Sequence, residues 1–204
     1  MPAVFDIDGT LIRLEAQFDV CFTRAVRKVL GHAEFSEDWY RYPNVTDSGI
    51  VHHIFTQLHG RAATPEELER IADVYIAELE RDGGAGEPIP GAQAFLDTVR
   101  ASGRPMAIAT GNCERSARWK LRAAGVDIGD IPVATSDDSA ERFEIIAAAI
   151  ERAGGRTDPV YFGDGEYDRH AAAKAGIRFV HVGEGQELPD YRDVDRAMRL
   201  LNGA

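Results

Sequence analysis

Three short stretches of this 204-residue chain carry residues that could do chemistry. "DIDGT" sets Asp6 and Asp8 one residue apart, where an apolar run ends. "IATGN" places Thr110, Gly111 and Asn112 at the end of a second run, and "GDGEYD" places Asp164 and Asp168 after a third. In a regular strand, residues i and i+2 share a face, so Asp6 and Asp8 are expected about 6–7 Å apart on one side. Like charges that close repel and raise a pKa unless something positive sits between them. Clustered carboxylates with no cysteine or histidine beside them form an oxygen site that suits Mg2+ rather than zinc. The pair is tolerable if a cation sits there.

The elements that must position these residues follow from short apolar runs. "AVFDI", "MAIAT", "IPVAT", "VYFGD" and "RFVHV" read as five strands, and from Ala92 onward they alternate with helices. That alternation indicates an α/β fold with a parallel sheet covered on both faces. Between the first strand and the rest lies a helical region, roughly residues 15 to 82. "QFDVCFTRAVRKVLG" and "SGIVHHIFTQLHG" have helical apolar spacing. "TPEELERIADVYIAELERDGG" starts with Thr64 as N-cap, Pro65 next and Glu67 completing a capping box. The Gly/Pro-rich stretch 83–91 then breaks the pattern, so the helices look like an insert hung on the sheet. In open parallel sheets, ligands bind beyond the carboxyl ends of the strands, where these acids gather.

Composition narrows the classes. A net charge of −11 argues against nucleic acid or an anionic membrane as the main partner. Cys21 and Cys113 are too few for a disulfide framework and point to a reducing compartment. No signal pattern and no apolar run of transmembrane length is present, so a cytoplasmic location is expected. A dinucleotide-binding module fails, since no Gly-x-Gly-x-x-Gly follows the first strand. Plainer readings stand beside the sharper ones. Asp168 and Asn112 could be helix caps, and Cys113 a small buried thiol. Arg13 and Arg41 are plausible contacts for an anionic substrate or mere surface counter-charges. His52 and His53 diverge on a helix and do not share a metal.

In this order, with a helical insert after the first, "DIDGT", "IATGN" and "GDGEYD" resemble the motifs of the haloacid dehalogenase-like hydrolase superfamily. "PIPGAQAFLDTVRASG" is similar to the segment that leads from that family's cap back into its core. The resemblance is to the phosphatase branch with a helical cap of the first type, phosphoglycolate phosphatase-like. Asp8 carries that placement, because dehalogenases proper and phosphonate-cleaving members lack a second aspartate.

The resemblance implies a Rossmann-like five-stranded parallel sheet core in residues 1–14 and 88–204, and a helical cap in residues 15–87. It implies that Asp6 is the nucleophile, forming an aspartyl-phosphate, and that Asp8 is the general acid and base. Thr110 and the amides after it, at Gly111 and Asn112, would hold the phosphoryl oxygens. Mg2+ would be held by Asp6, the backbone carbonyl of Asp8 and Asp164, with Asp168 supporting directly or through water. The family's usual lysine before the last motif is missing: none lies between Lys120 and Lys174, and Arg142 occupies the expected position. The function so implied is Mg2+-dependent hydrolysis of a small phosphorylated metabolite. A phosphomutase of the same family and a non-catalytic phosphometabolite-binding protein are the alternatives.

Overall fold

The computed structural model describes residues 1–13, 15–31, 34–155 and 157–203. Leu14, where the expected boundary between core and insert falls, lies outside them, as does Ala204. The described residues form five strands and eight α-helices. The strands are β1 (Ala3–Phe5), β2 (Met106–Ala109), β3 (Val133–Ala134), β4 (Val160–Gly163) and β5 (Arg178–His181). They pair all in parallel in the order β3-β2-β1-β4-β5. The register sets Val4 between Ala107 and Tyr161.

Why these runs are continuous and apolar is visible in the two cores. Strand side chains alternate faces. Ala3 and Phe5 pack on one face with Ile108 and Phe162, and Val4 packs on the other with Ala107, Tyr161, Ile145 and Ile146. Both faces are covered, so neither can be polar. Phe95 meets Phe5 at 5.9 Å and Phe162 at 5.7 Å and stacks on Tyr191 at 5.1 Å, which ties the sheet to its flanking elements.

Three helices stand between β1 and β2's own leading helix: α1 (Ala16–Leu30), α2 (Asp47–His59) and α3 (Pro65–Asp82). The capping box of Thr64 and Glu67 opens α3 as its sequence implies. α1 and α3 pack together through Phe22 and Tyr75, whose rings meet edge-on at 5.2 Å. The chain enters and leaves this insert side by side: Arg13 N–H donates to the Glu87 carbonyl, and Ile89 N–H to that of Leu11. The remaining helices are α4 (Ala92–Ala101), α5 (Glu114–Ala123), α6 (Arg142–Arg152), α7 (Glu166–Ala175) and α8 (Val194–Asn202). None of the described helices is long and apolar enough to cross a membrane.

Two expectations need correction. The first strand stops at Phe5, short of both aspartates, so Asp6 and Asp8 do not sit on one regular strand face. The Ile7 carbonyl instead accepts the N–H groups of Thr10, Leu11 and Ile12, curling the chain into a loop with Gly9 at φ +74°. The last acidic motif also differs. α7 begins at Glu166, which makes Asp168 a third-position residue of the helix rather than its N-cap.

Candidate active site

The strand order reverses at β1. Successive elements build outward to β3 on one side and then return to β4 on the other. A crevice opens at such a switch point, beyond the carboxyl ends of the strands. Asp6 follows β1 and Asp164 follows β4, so topology alone brings them together. Their approach requires a residue without a side chain: a Cβ on Gly9 would sit 2.0 Å from Asp164 Oδ2. Gly163 is constrained in the same way by Asp168, whose Cβ would lie 2.7 Å from an added Cβ.

Asp6, Asp164 and Asp168 each offer an oxygen within 4.8 Å of the others. Asp6 and Asp168 are buried, and Asp6 N–H is tied to the Phe162 carbonyl at 2.9 Å. Burial pushes the Asp6 carboxyl well above the usual carboxylate range, with Asp168 adding to the rise and Arg142 opposing it. Asp164 is pushed up to about 7, by burial first and then by Asp168 and Asp8. Asp6 Oδ1, Asp8 Oδ1 and Asp164 Oδ1 are all buried without a hydrogen-bond partner. Buried acceptors are rarely left unpaired. The clustered carboxylates of Asp6, Asp164 and Asp168, with oxygens of Asp6 and Asp164 lacking a hydrogen bond, fit a hard divalent cation such as Mg2+.

Arg142 opens α6 and reaches into this cluster. Its Nη1 donates to Asp168 Oδ1 at 2.8 Å and lies 3.5 Å from Asp6 Oδ1. Its Nη2 donates to the Val45 carbonyl at 2.9 Å, and its guanidinium lies 4.5 Å from the centre of the Tyr167 ring. Burial works against its charge, but Asp168 and Asp6 outweigh it and hold the guanidinium firmly protonated. Asp168 is fixed from three sides, since Tyr161 hydroxyl and Gly165 N–H also donate to it.

The second motif lines the opposite wall. Thr110 is buried, and its N–H continues the sheet by donating to Ala134. Asn112 does not cap α5; Cys113 occupies that position. The Asn112 amide instead donates to Asp8 Oδ2 at 2.6 Å and to Thr110 Oγ1 at 2.7 Å. Gly111 is confined by Arg142 Nη2 and the Val45 carbonyl, which an added Cβ would meet at 2.4 and 2.9 Å. Asp6, Asp8, Thr110, Gly111, Asn112 and Arg142 thus border one cavity, with Asp164 and Asp168 packed against Asp6.

Two further charged residues belong here that the motifs did not point to. Lys120 on α5 is 4% exposed and donates to Asp8 Oδ2 at 2.9 Å and Asn112 Oδ1 at 2.7 Å. Burial pulls its pKa down, yet Asp8 and Asp47 outweigh this and leave it raised. Its position was readable: it falls in the apolar stripe of α5 with Ala117 and Leu121, where a lysine is out of place. Asp47, the first residue of α2, accepts from Cys113 N–H at 2.8 Å. No motif marks it.

Burial raises Asp47 to about 6, against the pull of Lys120. Because the folded pKa lies above the ordinary 3.8, its favourable contribution is complete below that value and is lost as pH climbs to about 6. Above pH 6 the ionised carboxylate therefore costs stability. Asp47→Asn keeps an acceptor for the Cys113 N–H without the charge. We expect thermal melts to show the variant more stable than the parent above pH 6, by about 2–3 kcal/mol at most, with the gap closing below pH 4.

Other candidates lie elsewhere. Arg13 pairs with Glu87 and Arg41 with Asp38, both at exposed positions outside the cavity wall. Lys174 pairs with Glu141 on the surface. His53 packs on Tyr42, and His170 borders a separate depression beside Lys174. Cys113 is buried and its thiol is pushed up to about 11, chiefly by burial, so it is no nucleophile near neutrality.

The chain is similar to known proteins in both sequence and fold. The sequence model of the haloacid dehalogenase-like hydrolases matches residues 3–182. A phosphoglycolate phosphatase of Cereibacter sphaeroides is 29% identical over 204 residues, covering 95% of this chain and 90% of its own. A hydrolase from Pseudomonas syringae superposes with a TM-score of 0.70 at 23% identity, over 89% of this chain and 84% of its own. CbbY from Rhodobacter sphaeroides, solved with phosphate, superposes with a TM-score of 0.68 at 19% identity, over 89% and 85%. With its acidic loops at the ends of β1 and β4 and the family's pattern running from Ala3 to Val182, the chain belongs to the haloacid dehalogenase-like hydrolase family.

Proposed function

We propose that this hydrolase is a Mg2+-dependent phosphatase that cleaves a small phosphomonoester through an aspartyl-phosphate on Asp6. The observation that carries the reading is the cluster of Asp6, Asp164 and Asp168, with buried oxygens unpaired, directly beside Asp8. Asp6, the Asp8 backbone carbonyl and Asp164 would hold the cation, and Asp168 supports them. When bound, the cation supplies positive charge that lets an anionic nucleophile approach an anionic phosphoryl group.

The chain's own residues do the rest. A carboxylate oxygen of Asp6 forms a bond to phosphorus as the ester oxygen–phosphorus bond breaks. Asp8 gives its proton to the departing alkoxide, then takes one from the water that attacks the phosphoryl group, releasing phosphate and restoring the Asp6 carboxylate. Lys120 and Asn112 both hold Asp8 Oδ2, which leaves Oδ1, without a partner, as the oxygen that handles the proton. Thr110 and the amides of Gly111 and Asn112 face the phosphoryl oxygens, and Arg142 neutralises charge on them and on Asp6.

Residues 15–87 act in this reading as a cap over the site, docked now through Asp47 N–H on the Gly111 carbonyl and Arg142 on Val45. The substrate is a small phosphorylated metabolite. The cytoplasm suits the enzyme, because Cys21 and Cys113 are both free thiols. Phosphate release from a panel of phosphomonoesters tests the reading. Turnover should require Mg2+, or Mn2+ in its place, and vanish in excess EDTA. Full activity of metal-stripped protein in EDTA contradicts the reading, and a phosphomutase would rearrange its substrate without releasing phosphate.

A further inference from the structure

The cavity has two ends of unlike chemistry. Its core end holds Asp6, Asp8 and the amides after Thr110. Its other end is built by the segments between β1 and α4, whose only charged side chains on the wall, among the described residues, are Asp19 and Asp47. The same segments add a cluster of rings to the wall: Phe22 meets Trp39 edge-on at 5.5 Å and Tyr75 at 5.2 Å. Tyr75 is 3% exposed and borders the cavity, yet its hydroxyl has no hydrogen-bond partner among the described residues. Both basic residues in the cavity come from the core and are already engaged, Arg142 by Asp168 and Val45. Lys120 is engaged by Asp8 and Asn112 and, electrostatically, by Asp47 and Asp19, so that one ammonium is shared among three carboxylates.

A second anionic group on the departing alcohol would therefore face two carboxylates and no uncommitted cation, an arrangement that rejects it. A positively charged group would face carboxylates and aromatic rings together, the surroundings that favour an ammonium ion. We infer that the substrate is the phosphate ester of an amino alcohol, its ammonium group lodged between Asp19, Asp47 and the rings of Phe22, Trp39 and Tyr75. The inference rests on the phosphatase reading, which assigns the phosphoryl group to the core end. The cavity volume of about 120 Å³ suits a short alcohol. Keeping an ionised Asp47 at a cost in stability is the kind of concession that function explains.

The experiment measures Mg2+-dependent phosphate release from phosphoethanolamine, phosphocholine, glycerol phosphate and phosphoglycolate, with p-nitrophenyl phosphate as a charge-indifferent probe. The ammonium esters should exceed glycerol phosphate in kcat/KM by about tenfold. They should exceed phosphoglycolate by about a hundredfold, since repulsion is added to lost attraction. Asp19→Asn and Asp47→Asn should each shrink the phosphoethanolamine to glycerol phosphate ratio by about threefold or more. A ratio within one protein preparation is insensitive to partial misfolding. Phosphoglycolate or glycerol phosphate equal to the ammonium esters, or ratios unmoved in both variants, overturns the inference. Release from p-nitrophenyl phosphate with no charge preference overturns it alone, whereas inertness toward all five esters overturns the phosphatase reading with it.

Discussion

Asp6→Asn is expected to abolish turnover, by more than about 10⁴-fold, while making the metal-free protein more stable. The two effects share one cause. Asp6 is buried, and its charge is opposed by burial and by Asp168 and Asp164, with Arg142 alone relieving it. An amide removes that repulsion and keeps the shape, but it cannot displace an alcohol from phosphorus. Thermal melts without metal should show the variant melting above the parent, and added Mg2+ should stabilise the parent more, because the variant has lost a charged ligand. A structural role for Asp6 predicts the reverse: a destabilised variant with residual activity in proportion to its folded fraction.

Arg142→Ala is expected to lose about 10²–10³-fold in turnover, the usual cost of removing one electrostatic group from a transition state. It should also lose stability, because Arg142 is buried between Asp6 and Asp168 and its removal leaves their charges uncompensated. Breaking one side of a buried ion pair costs about 3–5 kcal/mol. Arg142→Lys separates the two contributions. It restores the charge and most of the stability, but one ammonium cannot reach Asp168 and the Val45 carbonyl together as the planar fork does. Turnover should therefore recover only in part. The comparison also tests Lys120: if Lys120 carries the phosphoryl charge, Arg142→Lys and Arg142→Ala will have equal kcat and Lys120→Met will be the inactive protein.

The centre of the sheet was legible because β1, β2 and β4 are buried on both faces, which writes short apolar runs into the sequence. The acids at the ends of those runs were legible for the same reason, since nothing else explains charge there. What escaped reading depended on backbone detail or on distant partners. Asp6 and Asp8 were set by a loop curling back on the Ile7 carbonyl, which a period-2 pattern does not encode. Lys120 carries its signal in the apolar stripe of α5, away from the motifs. Asp47 reaches the cavity because α2 docks on the Cys113 turn, a contact between segments 66 residues apart. α8 carries only a short signal, Asp193 as its cap and Ala197 and Leu201 on its buried face.

The covalent step is the centre of this account, and trapping it is the most direct test. Asp8→Asn protein, slowed in hydrolysis by about 10²–10⁴-fold, is mixed with Mg2+ and a turned-over phosphomonoester, quenched in acid and digested for mass spectrometry. One phosphoryl group should appear on the peptide that contains Asp6, disappear with hydroxylamine as an acyl phosphate does, and be absent from Asp6→Asn protein. Phosphate release with no label on Asp6 at any quench time, or a label on another residue, contradicts the account.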